Sequence, residues 1–247
     1  MICYVDIEHE KALQGPEERA AHRDRCEDVR LRLEETSGDI CLVRRHERVT
    51  QRWLRESKVK AVVISGNVTD WAEYDEADLL RLSRMIRDAE LPIIGLCGGC
   101  QLIAMAHGAA LGSIRRIEKG EEDPCRDYAP GYFKEWGFVP MRILESDPIF
   151  DGLGERPCFL AAHYWEVKDT PAGFKLLASS SSCRVQAIKR IGKPVYGTQF
   201  HPEAYTGGGG ARRGWLIDLV YPEGYPEAQT DGRKLLVNFF RMCGILE

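Results

Sequence analysis

Through its first 108 residues the chain alternates short apolar runs with longer charged stretches. Ile2-Cys3-Tyr4-Val5-Asp6 predicts a first strand, residues 39–43 a second, and residues 60–64 a third that runs into Ser65-Gly66-Asn67. Leu91-Pro92-Ile93-Ile94 predicts a fourth, short and apolar on both faces as a buried parallel strand is. Residues 16–36 are highly charged, with Val29, Leu31 and Leu33 near their end; they predict a surface helix opened by Pro16 and closed around Ser37-Gly38. A short helix is expected over 50–57. An amphipathic one is expected over 73–90, where Leu79, Leu80, Leu82, Met85 and Ile86 sit among charges. Cys100 to Ala106 contains good helix formers and no breaker until Gly108. Strand and helix in alternation predict an α/β fold, a mostly parallel central sheet with helices on both faces.

After Gly112 the pattern changes. Residues 118–135 are polar and irregular and predict a surface loop near the site. Residues 136–141, 157–163, 173–178, 185–188 and 194–199 read as strands, a smaller strand-rich supplement to the first half. Residues 204–229 read as an excursion holding Gly207–Gly210, Arg212-Arg213, Pro222 and Pro226. The glycine run lacks the Lys-Ser/Thr ending of a phosphate-binding loop. Residues 231–243 predict a C-terminal helix with Leu235, Leu236, Phe239, Phe240 and Met242 on its apolar side and Gly244 as its stop. No linker separates the halves, so a single domain is expected over 1–247.

A chain of 247 residues, 44% hydrophobic and 29% charged, can bury one sizeable core. A net charge of −4 gives no reason to expect nucleic acid or an anionic membrane as partner. No apolar run approaches the roughly 20 residues of a bilayer span, and MICYVDIEHE is too acidic for a signal peptide. The nine cysteines are odd in number and irregularly spaced, so reduced thiols and a cytoplasmic location are expected. Cys97 and Cys100 form a C-x-x-C pair, which raises redox or metal chemistry as an alternative. No second pair and no H-x-x-x-H follows, so neither a metal nor a cofactor is expected.

Gly95-Leu96-Cys97-Gly98-Gly99 joins the fourth strand to the following helix in the pattern G-x-C-x-G, a cysteine version of the nucleophile elbow. A residue at the apex of such a turn is strained, and small neighbours make room for it. The apex faces a helix N-terminus, which favours negative charge, and the thiolate is the reactive form of cysteine. The Gly98 N–H is placed to donate to an oxyanion. A cysteine nucleophile needs a base, and the base needs an orienting partner. Of six histidines, His201 ends the strand-like run Tyr196-Gly197-Thr198-Gln199-Phe200 and precedes Pro202-Glu203. In an extended segment residues 201 and 203 point the same way, so the carboxylate reaches the imidazole.

GLCGGCQ (95–101) with YGTQFHPE (196–203) closely resembles the class I, or triad, glutamine amidotransferases, whose pattern is G-x-C-x-G-x-Q and G-x-Q-F-H-P-E. Ile64-Ser65-Gly66-Asn67 looks like the family's oxyanion loop, and residues 162–167 followed by Pro171-Ala172-Gly173-Phe174 look like its segment beside bound glutamine. The resemblance covers nearly the whole chain. It implies the family's flavodoxin-like fold, with Cys97 attacking the side-chain amide of L-glutamine. His201 then accepts the thiol proton and protonates departing ammonia, oriented by Glu203. It further implies that N–H groups of Gly98 and the Gly66-Asn67 turn hold the oxyanion, while water hydrolyses a γ-glutamyl thioester. Gln101, His163, Tyr164 and Trp165 would hold the amino acid head.

Several positions depart from the family pattern. Gly98 replaces a bulkier residue, Cys100 a His or Met, Ser-Gly-Asn a Ser-Gly-Gly-Pro or Pro-Gly-Pro-Gly loop, and Ala162 a Ser. Cys100 is also a candidate for an inhibitory disulfide with Cys97. The expected function is a glutaminase subunit that supplies ammonia to a synthetase on another chain. The alternatives are a γ-glutamyl hydrolase acting on γ-glutamyl amines or peptides, with 118–135 and 204–229 lining its pocket, or a non-catalytic binding module on the same fold.

Overall fold

The structure, a computed structural model, describes residues 1–206, 214–224 and 229–247. In chain order the first half runs β1 (Ile2–Asp6), α1 (Pro16–Ser37), β2 (Cys41–Arg45), α2 (Gln51–Glu56), β3 (Ala61–Ile64), α3 (Glu76–Arg87), β4 (Ile93–Leu96) and α4 (Gly98–Ala106). The second runs β5 (Leu111–Ser113), β6 (Glu135–Pro140), β7 (Arg142–Ile143), β8 (Cys158–His163), β9 (Trp165–Val167), β10 (Phe174–Ser179), β11 (Ala187–Arg190), β12 (Val195–Thr198), α5 (Trp215–Val220) and α6 (Asp231–Met242).

Eight described strands form one sheet in the order β2-β1-β3-β4-β12-β11-β10-β7. The pairs from β2 to β12 are parallel and those from β12 to β7 antiparallel. Most of the supplement therefore continues the central sheet, while β5-β9 and β6-β8 make two separate antiparallel ribbons.

Successive strand residues alternate between the two faces. Ile2, Tyr4, Ala61, Val63, Ile94 and Leu96 pack with Val29 and Leu33 of α1 and with Leu235, Leu236, Phe239 and Phe240 of α6. Cys3, Val5, Val62, Ile64 and Ile93 pack on the other face with Leu54 of α2, Leu82, Met85 and Ile86 of α3, and Ile103 of α4. Both faces being covered is why these strands read as unbroken apolar runs.

Helix α1 ends at Gly38 in the left-handed conformation (φ 66°), whose N–H donates to the Glu34 carbonyl at 2.8 Å. The second strand lies two residues later than its apolar run suggests, because Asp39 instead pairs with the Met1 amino group at 2.9 Å. Helix α3 is shorter than expected because a separate 3-10 turn, Trp71–Glu73, precedes it. Residues 204–229 contain α5, which the Gly- and Pro-rich flanks concealed; Gly207–Gly210, Arg212-Arg213, Tyr225 and Pro226 lie outside the described residues. Residues 118–134 hold neither helix nor strand, only the Arg116–Tyr132 bridge spanning them. Among the described residues no helix is long and apolar enough to cross a membrane.

Candidate functional site

Cys97 follows β4 and caps the N-terminus of α4. Its backbone stands at φ 48°, ψ −105°, a region a residue with a Cβ rarely adopts. Close packing forces the turn: a Cβ at Gly99 would stand 2.6 Å from the Ile64 carbonyl oxygen, and one at Gly95 2.4 Å from the Gly99 carbonyl oxygen. Only glycine lets α4 start this close to the ends of β3 and β4.

Strand β12 lies beside β4, and their pairing extends to the Cys97 amide, which donates to the Thr198 carbonyl at 2.7 Å. Three residues further on, the His201 amide donates to the Leu160 carbonyl of β8 at 2.8 Å and fixes the backbone that carries the ring. The ring hydrogen-bonds Cys97 on one side, and its Nδ1 lies 2.7 Å from Glu203 Oε1 on the other. The sequence therefore brings Cys97, His201 and Glu203 together as expected, although residues 201–203 are not extended. They form a turn around Pro202, closed by the Ala204 amide on the His201 carbonyl at 3.1 Å. Arg32 of α1 anchors this turn, donating to the carbonyls of Glu203 (3.3 Å) and Tyr205 (2.9 Å).

Burial pulls the His201 pKa down, but the Glu203 carboxylate and the Cys97 sulfur outweigh it and raise the value to about 10. A cationic ring and the positive end of α4 thus face the sulfur, the surroundings in which a thiolate is stabilised. The Ser65-Gly66-Asn67 loop covers the pair, since a Cβ at Gly66 would lie 3.4 Å from both Cys97 Cβ and His201 Cε1. Ser65 Oγ accepts from the Ile7 amide (3.0 Å) and donates to the Gly66 carbonyl (2.8 Å). The Glu8 carboxylate accepts from the amides of Val68 (2.8 Å) and Thr69 (3.2 Å) and from the Thr69 hydroxyl (2.7 Å). Asn67 Nδ2 donates to the Thr69 carbonyl at 2.7 Å, and its other amide arm lies over Gly98.

On the opposite side of the sulfur, Gln101 is clasped on every polar atom. Its Oε1 accepts from Trp71 Nε1 (2.6 Å), and its Nε2 donates to the Trp165 carbonyl and to Gln199 Oε1, both at 3.1 Å. Gln199 in turn donates from Nε2 to Cys97 Sγ at 3.6 Å. Tyr164 donates its hydroxyl to Asp70 at 2.6 Å. His163 is buried between the Trp165 carbonyl (2.9 Å) and Glu135 (3.1 Å), so it braces the segment from behind. Gln101, His163, Tyr164 and Trp165 line a narrow recess of about 20 Å³ that opens on Cys97. Cys100 is wholly buried, presses its sulfur toward Gly197 of β12, and like Cys97 carries a free thiol.

Glu8, Asp70, Trp71 and Arg32 escaped sequence reasoning because their partners lie far along the chain. Gln199 had a signal, its place inside G-T-Q-F-H-P-E. Among the described residues, Asp6–His22–Cys26 and Glu135–His163–Cys183 each bring three possible metal ligands within 4.8 Å. Both groups are already engaged: Asp6 accepts from Arg45 at 3.2 Å, and Glu135 accepts from Ser180 and Gln186.

A strained cysteine over a helix N-terminus, a His–Glu pair on the adjacent strand and a glycine loop above both define a triad-type cysteine site on an open α/β sheet. The family profile described as "Glutamine amidotransferase class-I" matches residues 29–213, and the chain belongs to that family. It is similar to the glutamine-hydrolysing subunit of GMP synthase from Methanothermobacter thermautotrophicus, 42% identical over 49% of this chain and 55% of that protein. The corresponding GMP synthase subunit of Methanocaldococcus jannaschii is 32% identical over 76% of each chain. The chain thus spans little more than half the length of the first of these relatives. Solved glutamine amidotransferases from Thermotoga maritima (TM-score 0.61, 17% identity, 98% of this chain and 97% of that one) and Methylobacillus flagellatus (TM-score 0.62, 18% identity, 100% and 95%) share its fold.

Proposed function

We propose that this chain hydrolyses the side-chain amide of L-glutamine and hands the ammonia to a separate synthetase. In this reading Cys97 attacks the amide carbon, and the oxyanion forms against N–H groups of Gly98 and the Gly66-Asn67 turn. His201, already cationic at neutral pH, gives its proton to the departing nitrogen. It then takes a proton from the water that cleaves the γ-glutamyl thioester. Glu203 keeps the ring oriented and offsets the burial of its charge. The head of glutamine lies along the recess beside Tyr164 and Trp165, while Gln101 and His163 act as positioning residues for that wall. Tyr128 also lines the narrow recess, so glutamine displaces it on entry.

The observation that carries the proposal is Cys97 at φ 48° with the His201–Glu203 pair against it. The relatives named as glutamine-hydrolysing subunits of GMP synthase make a GMP-forming synthetase the first partner to try. The test is ammonia release from glutamine by the purified chain, alone and with that partner. Release that depends on Cys97 and rises with the partner supports the proposal. Release that survives Cys97→Ala overturns it.

A further inference from the structure

Two spaces meet at Cys97. The recess is lined by Gln101 and Trp165, whereas a much larger cavity of about 290 Å³ is lined by His201 and Glu203. The proton donor marks the leaving-group side of a cysteine site, since the imidazolium must reach the departing nitrogen. The large cavity is therefore where the leaving group goes. Ammonia is about the size of a water molecule, which takes roughly 30 Å³ of liquid, so the cavity holds far more than glutamine releases.

The cavity sits at the carboxyl end of the sheet. β1 lies between β2 and β3, and the cavity opens at the carboxyl ends of β1, β3 and β4, the usual ligand crevice of an open α/β sheet. Its lining runs from Cys97 across Tyr4 and Asp6 to α1, where it meets Arg25. β1 is two strands from β4, so this path is on the order of 10 Å at 4.7–4.9 Å per strand. An extended peptide advances about 3.3–3.6 Å per residue, so a dipeptide and its terminal carboxylate span it.

The charges choose among leaving groups. Asp6 is held by His22 (2.8 Å) and Arg45 (3.2 Å), and Glu8 by the amides of Val68 and Thr69 and the Thr69 hydroxyl, so neither is open to a cation. Arg25 instead lies over the Trp215 ring at 5.3 Å with a buried Nε that has no hydrogen-bond partner. Val29, Trp136, Leu216 and Leu219 supply apolar wall between the two ends.

We infer that the site also cleaves γ-glutamyl peptides whose leaving portion is an apolar dipeptide with a free carboxylate, which Arg25 receives. The inference rests on the proposed acylation of Cys97. The S–C bond forms, the C–N bond breaks, and the thiol proton passes through His201 to the peptide amine. Water then adds to the thioester carbon, its proton returns to the sulfur, and glutamate leaves.

The test compares glutamine, γ-glutamyl-leucyl-glycine, its C-terminal amide and γ-glutamyl-1,4-diaminobutane on the purified chain and on Arg25→Gln and Arg25→Lys. The expected kcat/KM for the free acid exceeds that for the capped amide at least tenfold. Arg25→Gln erases that ratio, Arg25→Lys keeps part of it, and both leave glutamine turnover unchanged. Cleavage of glutamine without cleavage of the peptide overturns the inference alone, as does preference for the cationic diamine conjugate or an acid-to-amide ratio that survives Arg25→Gln. Failure to cleave any of the four, with no acylation of Cys97, overturns the underlying reading as well.

Discussion

The amide oxygen of Asn67 lies 1.8 Å from the point where a Cβ on Gly98 would stand. The small residue after Cys97 and the asparagine in the covering loop are each a departure from the family pattern. In space they answer one another, because the Asn67 side chain occupies the volume that a side chain at 98 would claim. The loop keeps its place over the sulfur, held from below by Glu8.

This pairing predicts strong coupling. Gly98→Ala in the native background displaces Asn67 and lowers glutamine turnover by about tenfold or more. Asn67→Gly combined with Gly98→Ala recovers much of it. A double-mutant cycle on kcat/KM is expected to give a coupling of about 1–3 kcal/mol. Additive effects of the two changes would show that the side chains do not share the space.

Backbone strain at Cys97 has a separate signature. At φ 48° a glycine relaxes where any residue with a Cβ cannot. Cys97→Gly and Cys97→Ala both abolish turnover, but the glycine variant is expected to be more stable by about 1 kcal/mol in urea unfolding. Equal stabilities would mean the turn stores no strain.

The proton on His201 links pH to both activity and stability. Its pKa in the fold is raised from 6.5 to about 10, with Glu203 and Cys97 prevailing over burial. Turnover is expected to fall as pH rises through about 10, where the ring loses the proton needed by the leaving amine. Glu203→Gln removes a charge that raises this value, so the alkaline limb moves to lower pH. The same linkage gives a stability contribution fully present below 6.5 and lost as pH rises through about 10. The stability gap between the native chain and Glu203→Gln is therefore widest at low to neutral pH and closes at the alkaline end. An unmoved alkaline limb in the variant contradicts this account.

Gln101 is expected to act through position. Gln101→Met leaves the Trp71 N–H, the Trp165 carbonyl and the Gln199 oxygen without their partner. Unfolding free energy drops by about 1–3 kcal/mol, and KM for glutamine rises more than kcat falls. A pure kcat loss at unchanged stability would place Gln101 in the chemistry itself.

Much of this was written locally. The apolar runs at 2–6 and 60–64 and the Gly-Cys-Gly turn each specify their structure with neighbours a few residues away, and the structure holds them in those places. Pro16 and Gly38 set the ends of α1 in the same way. What was hidden depends on distant partners. β5 and β9 are three residues each and exist because they pair with one another across a long stretch of chain. Glu8 reads as one more surface acid in a charged stretch until Val68 and Thr69 are seen folded onto it. The answer of Asn67 to Gly98 is invisible along the chain because the two lie on different strand ends.

The most direct test of the central claim is labelling with a diazoketone analogue of glutamine, followed by peptide mass spectrometry. The account predicts one adduct per chain, on the sulfur of Cys97, blocked by excess glutamine and slowed in Glu203→Gln. An adduct on another cysteine, or none on folded protein, would contradict it.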